Sequence, residues 1–459
     1  MAYHVQRHGL PAMKETQDTT IAVIGCGTVG GAVCEILLRD RGLLQSKTGS
    51  RLRLKYIVDR VFTYAKNLQL DDTLFETNLD HALEDDEVRI VIELVGGITK
   101  AREITEQALR AGKHVVSANK ALLAHHGAEL MAIARENGVS LAFEAAVGGG
   151  IPIIRALYDG LAANSIDAIY GIVNGTCNYI LTEMIDKEES YEEALWAAQS
   201  KGLAEADPTL DVGGADSAHK IAIMGAMAFG IQVDFDQIPV EGIDNLQQED
   251  VMYADTLGYV VKLLAIATRV GEGVSLRVRP VFISREHALA WVSGPFNAVS
   301  VYGHTTGHTM YYGRGAGGSP TAAAVVSDII AVASGTYQVF FDRFAFWPDR
   351  NPPADLIAVA ETYSRYYIRT MVDDTPGALA RIASILGEHG ISIASILQDE
   401  LPENNGADQE PHFVPVVITL HPAKEANVLQ AINEIDELDA TGEKSSLISI
   451  VDDHPEGIS

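Results

Sequence analysis

Two hydrophobic periods alternate along the first third of the chain. A β-branched apolar run over Thr20–Ile24 breaks into Gly25-Cys26-Gly27-Thr28-Val29-Gly30-Gly31, and Ala32 to Leu38 follow with helical spacing. A polar stretch over Gly42–Ser50 reads as a surface excursion before a second strand over Leu52–Val58. The alternation then continues with a strand at Val88–Leu94, a helix at Thr99–Leu109, a strand at His114–Ala118, a helix at Ala121–Arg135 and a strand at Val139–Phe143. Strands alternating with helices predict a doubly wound parallel sheet, whose ligands lie beyond the carboxyl ends of the strands.

The texture changes at Glu144, where a glycine run, Pro152 and an apolar helix mark the crossing into a second domain. A strand over Tyr170–Asn174 ends in Gly175-Thr176-Cys177-Asn178, and a helix carries the polar sequence from Glu205 to Lys220 towards an apolar stretch ending at Ile231. Gly313, Gly315, Gly317 and Gly318 lead into another helix, with Ser319 as its cap and Pro320 at its first position. Phe346–Pro353 reads as a proline-rich linker. From Arg365 the order is strand, helix (Ala378–His389), strand from Gly390, strand (Phe413–Leu420), helix (Ala423–Ile435), strand (Ser446–Val451), a βαββαβ module with no evident catalytic group.

With 459 residues the chain suits about three domains. A charge of -28, from 62 acidic and 34 basic residues, argues against nucleic acid or an anionic membrane as partner. Cys26, Cys34 and Cys177 form no CxxC pair and are odd in number, which argues against a disulfide framework or zinc site. Their expected state is reduced, in a cytoplasmic protein. The first eighteen residues are polar, and no apolar run approaches the roughly eighteen residues of a membrane span.

Four features carry candidate chemistry. Gly25, Gly27 and Gly30 between a strand and a helix have the spacing and context of a dinucleotide turn, where helix amides meet a pyrophosphate; the bland alternative is a βα turn that binds nothing. Asp59 and Arg60 close the second strand, where an acid reads a ribose 2′-hydroxyl and an arginine accommodates a 2′-phosphate; the alternative for Asp59 is a solvated loop acid. Lys120 sits just past a strand end, as a crevice lysine or a solvated loop charge. Asp216 and Lys220, four apart, share a helix face; as a surface pair they would contribute only a few tenths of a kcal/mol.

Taken together, the stretches GCGTVGGAV, ELVGG, SANK, EAAVGGGIPII, NGTCNYIL, EADPTLDVGGADSAHK, YGRGAGGSPTA and DDTPGALARIASILGEHGISI resemble homoserine dehydrogenase carrying a C-terminal ACT domain, over nearly the whole chain. The resemblance implies an α/β fold: an interrupted Rossmann-type dinucleotide-binding domain at 1–150 completed by 311–345, an α+β catalytic and dimerisation domain at 151–310, a linker at 346–364 and an ACT domain at 365–459. It implies reversible conversion of L-aspartate 4-semialdehyde to L-homoserine with NADP or NAD, on the way to threonine, methionine and isoleucine. Lys220 is then the proton donor and Lys120 its partner, with Glu205, Asp216, Asp211 and Gly202 around the substrate. The matching dinucleotide positions are Gly25, Gly27, Thr28, Val29, Gly30, Asp59, Arg60, Gly96, Gly97, Ser117, Lys120 and Gly315. A sodium ion is implied at Glu144, Val147, Gly149 and Ile151, mostly through backbone carbonyls.

The resemblance further implies a homodimer or homotetramer, and threonine as an effector of the ACT module near Asp373–Gly377 and Gly390. Deletion from Arg365 onward is expected to leave a competent dehydrogenase blind to threonine. The family usually has threonine where this chain has Cys177. Carboxylates suit the substrate ammonium, and a desolvated or paired lysine has its pKa lowered towards the range of general acid catalysis. The rival readings are a dehydrogenase for another semialdehyde or hydroxy acid, and a nucleotide-sensing regulator; a missing helix-turn-helix and basic patch count against the second.

Overall fold

The computed structural model describes residues 18–398 and 413–451; the polar N-terminal stretch read above lies almost wholly outside them. The chain divides into two units, one formed by Met1–Leu122, His126–Ala146 and Gly317–Phe344, the other by Leu123–His125, Val147–Ala316 and Ala345–Ser459.

The first unit is a six-stranded sheet of β1 (Asp18–Ile24), β2 (Arg51–Val58), β3 (Phe75–Glu76), β4 (Val88–Glu93), β5 (His114–Ser117) and β6 (Leu141–Ala142), in the order β3-β2-β1-β4-β5-β6. Every pairing in it is parallel. This is the doubly wound order, with its crevice where the direction of winding reverses between β1 and β4. Ile21, Ala22, Val23, Ile90, Val91 and Ile92 are all buried because helices cover both faces, which is why these strands read as apolar runs and not as alternating patterns. The returning helix Gly318–Ala333 belongs to this unit and packs on the first helix, Thr28–Arg39. Its N-cap is Gly317, so Ser319 and Pro320 fall inside the first turn, not at the cap and first position.

Most of the expected excursion at Gly42–Ser50 is a helix, Arg41–Thr48, with no buried residue and a left-handed Gly49 after it. Leu, Gln and Lys favour helix here, but with no face buried there is no apolar period to reveal it.

The second unit holds a ten-stranded sheet. Its strands include β7 (Ile166–Ile172), β8 (Tyr259–Val270), β9 (Gly273–Ser284), β10 (Phe296–Gly303), β11 (Gly307–Arg314), β12 (Tyr363–Asp373), β13 (Ile393–Gln398), β14 (Phe413–Leu420), the short β15 (Ala423–Lys424) and β16 (Ser446–Val451). The order is β11-β10-β7-β8-β9-β16-β12-β14-β13, with β15 on the end of β12. The βαββαβ module therefore does not hang from a tether: its edge strand β16 pairs in parallel with β9, Ser449 to Val281 through Val451 to Ile283. The predicted linker is also packed, with Trp347 fully buried against Tyr158 and a 3-10 turn at Pro348–Arg350. Prolines there stop helix and strand without making the segment free.

One helix of this unit, Ala215–Phe229, positions the central chemistry. Glycines in the left-handed region, Gly214 and Gly230, bracket it, and Ile221, Ile223, Met224 and Met227 are buried, as are Asp216 and Lys220. A helix buried all round belongs to a core, so its polar groups must find partners inside the protein. The single helix expected from Glu205 onward is divided: Thr209–Val212 is one turn, and Glu205 to Pro208 precede it.

Candidate active site

In the first unit the glycine turn follows β1. A Cβ on Gly30 would collide with the carbonyl oxygen of Gly25, and one on Gly25, at φ +93°, would lie 2.7 Å from the Leu94 oxygen. Only glycine lets the turn close this tightly. The helix that follows has Gly27 as its N-cap and no side chain capping its amides, leaving the positive end of the dipole open to an anion such as a pyrophosphate. Thr28 and Val29 are its first two residues, and Thr28 lies beneath Gly318. Asp59 Oδ2 accepts from the Cys26 amide at 2.7 Å and Oδ1 from the Arg60 amide at 2.6 Å, so the end of β2 is tied to the glycine turn. The Arg60 side chain is exposed.

Glu93, fully buried at the end of β4, organises the neighbouring turn. Its carboxylate accepts from the Val95 amide at 2.9 Å and the Ser117 hydroxyl at 2.7 Å. Burial pushes this carboxyl up, opposed by those same hydrogen bonds. Asn119 donates from its side chain to the Gly97 carbonyl at 2.6 Å, and from its amide to Ser117 Oγ at 3.1 Å. Its Oδ1 caps the helix that begins with Lys120. Gly96, Gly97, Ser117 and Lys120 thus stand on one hydrogen-bonded platform.

The second unit brings together Asp211, Asp216 and Lys220. Lys220 Nζ donates to the Val173 carbonyl at 2.6 Å and to Asp216 Oδ2 at 2.7 Å. The side chains of this pair are only 9% and 7% exposed, which excludes the surface ion pair. Breaking such a pair by removing one partner costs about 3–5 kcal/mol, not a few tenths. Asn174 donates to both carboxylates, at 2.8 Å to Asp211 and 2.9 Å to Asp216, while its Oδ1 caps the helix Gly175–Lys187. Cys177 donates from its thiol to the Asp211 carbonyl at 3.2 Å. Burial and the two acids push that thiol well up, so it remains a donor. Asn297, also buried, donates to the same Val173 carbonyl at 2.8 Å, and among the described residues its Oδ1 has no hydrogen-bond partner. A Cβ on Gly315 would overlap Asn297 Nδ2, so that glycine makes room for the asparagine.

Other candidate residues stand apart from this cluster. The Glu205 side chain is exposed, and among the described residues it has neither hydrogen bond nor ion pair; Gly202, at φ +69°, is exposed beyond the helix Tyr191–Ser200. Glu144 is buried in the first unit, its amide donating to Asp328 at 2.7 Å. Val147, Gly149 and Ile151 lie in one turn of the second unit, closed by Ile151 N–H to Gly148 O at 2.9 Å and Gly150 N–H to Arg314 O at 3.1 Å. Their side chains are apolar or absent, so only carbonyls could serve a cation.

Sequence reasoning missed the capping asparagines, although an asparagine just before a helix is a readable start signal. Glu93, Asn297 and Asp328 had none, because Ser117, Val173 and Glu144, which meet them, lie far away in the chain.

A family model for homoserine dehydrogenase matches residues 152–330, one for the homoserine dehydrogenase NAD-binding domain residues 25–144, and one for the ACT domain residues 366–437. Homoserine dehydrogenase of Pseudomonas aeruginosa is 41% identical over 424 residues, which cover 91% of this chain and 95% of that one. This chain belongs to the homoserine dehydrogenase family. The crystal structure of a homoserine dehydrogenase from Thiobacillus denitrificans superposes with a TM-score of 0.88 at 41% identity, over 95% of this chain and 99% of that one. A hyperthermophilic archaeal homoserine dehydrogenase in complex with NADPH matches 69% of this chain and 97% of its own, at 26% identity and a TM-score of 0.59. The protein is accordingly an NAD(P)-dependent oxidoreductase acting on a CH–OH group, with an ACT domain on β9. Among the described residues no single helix is long and apolar enough to cross a membrane.

Proposed function

We propose that Lys220 is the proton donor in reversible conversion of L-aspartate 4-semialdehyde to L-homoserine, and that threonine regulates the reaction through the ACT module. The observation that carries the first part is the disposition of the Lys220 ammonium. Of its three donors one goes to Val173 O and one to Asp216, leaving the third without a protein partner among the described residues. That third N–H is available to the aldehyde oxygen. The dinucleotide, when bound, supplies the hydride. As the carbonyl carbon receives it, negative charge collects on oxygen, and Lys220 Nζ hydrogen-bonds that oxygen and passes it a proton. In the reverse direction the amine takes the proton from the hydroxyl. Asp216 holds Nζ in place and, with Asp211, offers negative charge to the substrate ammonium; Glu205 is a third acid for that ammonium and Lys120 a second cation on the nicotinamide side.

The glycine turn, the uncapped amides after Gly27 and the Asp59 carboxylate suit the pyrophosphate and ribose of a dinucleotide. Asp59 favours NADH, while exposed Arg60 and Lys66 offer charge to the extra phosphate of NADPH, so use of both follows. Glu144 and the carbonyls of Val147, Gly149 and Ile151 form the proposed sodium site, a donor set of oxygens suited to a hard cation. The same reading proposes the domain limits 1–150, 151–310 and 365–459, a homodimer or homotetramer, a cytoplasmic location, and a place in threonine, methionine and isoleucine biosynthesis. Initial rates of aspartate-semialdehyde reduction with NADH and with NADPH, each with and without millimolar threonine, test it. Turnover with neither cofactor contradicts the reaction, and a rate indifferent to threonine contradicts the effector.

A further inference from the structure

The ACT module touches the catalytic sheet through a buried ion pair that the reaction does not use. Arg279, on β9, meets Glu425, the first residue of the ACT helix Glu425–Asp436, in a two-pronged contact: Nη1 to Oε2 at 2.9 Å and Nη2 to Oε1 at 2.8 Å. Glu425 is 4% exposed, and the Tyr366 hydroxyl donates to the same carboxylate at 3.1 Å. On its other side Arg279 Nε lies 3.8 Å from the carboxylate of Glu241.

Glu241 belongs to a segment, 239–243, clipped to β9 by its backbone. Val278 donates to Pro239 O at 3.0 Å and Glu241 donates to Val278 O at 2.8 Å. The same segment props the acidic turn of the candidate site. Ile243 donates to Val212 O at 2.8 Å, and a Cβ on Gly242 would run into that same oxygen and lie 2.6 Å from Gly213 Cα. Gly214 in turn packs on Val240 and Val278. Asp211 and Asp216 flank those glycines and meet each other through Asn174. A continuous run of backbone and packed contacts therefore leads from Glu425, through Arg279 and 239–243, to the turn that sets the two acids.

We infer that Arg279 and Glu425 are positioning residues, which fix segment 239–243 and through it the Asp211–Asp216 turn, so that the state of the ACT helix is felt where the substrate ammonium binds and not at the dinucleotide turn. The kinetic half of this rests on the proposed role of Asp211 and Asp216 in holding substrate. A planar guanidinium held at two points is sensitive to the orientation of its partner helix in a way that a lysine is not. Any shift of the ACT helix therefore bears on β9 at Arg279, one residue from the backbone clip.

The test is Glu425→Gln in the full-length enzyme, with Arg279→Lys as the second variant. The expected result is a rise in KM for aspartate semialdehyde of about fivefold or more, the lower end of ordinary coupling between sites, with the KM for the dinucleotide unchanged within about twofold. Hydrogen exchange at the amides of 211–216 rises in both variants while exchange at 20–31 does not. Equal rises in both regions, or none at 211–216, would overturn the inference, since a general loss of stability loosens both. Faster exchange at 211–216 with an unchanged semialdehyde KM supports the coupling and removes the two acids from substrate binding, so the two claims fail separately.

Discussion

Replacing Arg369 with Met should destabilise the junction between the ACT module and the catalytic sheet by several kcal/mol. Asp250, in the helix Gln248–Thr256 of the catalytic domain, is 1% exposed, and its carboxylate accepts from four donors, all in the ACT module. Arg369 supplies two, Nε at 2.7 Å and Nη2 at 3.2 Å, and the Tyr367 and Ser446 hydroxyls supply one each at 2.9 Å. Burial and the carboxylate push the Tyr367 hydroxyl well up, so it stays a donor at neutral pH. Without Arg369 two neutral donors face a buried charge. The loss expected for such an orphaned ion is about 3–5 kcal/mol, against about 0.2–1 for an exposed pair. With whole-protein stabilities of about 5–15 kcal/mol, that is roughly a fifth or more of the reserve. Because unfolding of a chain with several domains is seldom two-state, the suitable assay is native-state hydrogen exchange at the β9 and β16 amides, which reads the opening of this seam. Arg369→Met should speed exchange there by the corresponding two to four decades, on the order of tenfold per 1.4 kcal/mol. The double variant Arg369→Met/Asp250→Leu should recover most of the protection, since a matched apolar pair leaves no buried charge. A single-variant cost below about 1 kcal/mol would mean that water reaches Asp250, and would refute the argument.

The same geometry alters the outcome of truncation. Removing the chain from Arg365 strips β16 from β9, takes all four donors of Asp250 and takes Glu425 from Arg279, so the expected product has less than about a tenth of full activity or fails to stay soluble, not a clean threonine-blind enzyme; steady-state rates and size-exclusion chromatography decide. Asp59→Ala should weaken NADH more than NADPH, and both to some degree because the carboxylate also holds the Cys26 amide; fluorescence titration measures both, and equal losses would take Asp59 out of the choice between them. His114, at the start of β5, is pushed down to about 4, chiefly by burial and then by Arg89. Its unfolded value is about 6.5, so the unfolded chain binds the extra proton, and stability is intact above about pH 6.5, falls as pH drops, and has lost on the order of 3 kcal/mol below about pH 4. His114→Gln should flatten that part of a urea-midpoint profile between pH 7 and 4, leaving the slope contributed by depressed carboxyls such as Glu76 and Asp85.

The parallel sheet and its glycine turn were legible because their signals are local: an apolar run, a spacing of glycines, a helix period. The same holds for the pairing of Asp216 with Lys220, which lie one turn apart. What the sequence could not show is how deeply that pair is buried, since burial is set by β7 and the helices around it, far away in the chain. The exposed helix Arg41–Thr48 escaped for the opposite reason, having no buried face to impose a period. Trp347 was hidden by the prolines around it. The join of the ACT module to β9 was invisible because strand partners are set by register and not by composition: nothing in Ser446–Val451 names Val281–Ile283 as its neighbour. Asn297 belongs to the same class, a residue whose meaning comes only from Val173 and Gly315 beside it.

Lys220, the proposed proton donor, is open to a direct test. Lys220→Ala should be assayed by single-turnover reduction of aspartate semialdehyde with saturating NADPH, alongside fluorescence titration of the dinucleotide. Dinucleotide affinity should stay within about threefold of wild type, because the lysine's hydrogen bonds are to Val173 and Asp216, while the chemical step slows by about a hundredfold or more, as loss of a positioned proton-transfer group does. A chemical step slowed less than about tenfold in a folded, dinucleotide-binding variant would contradict the assignment.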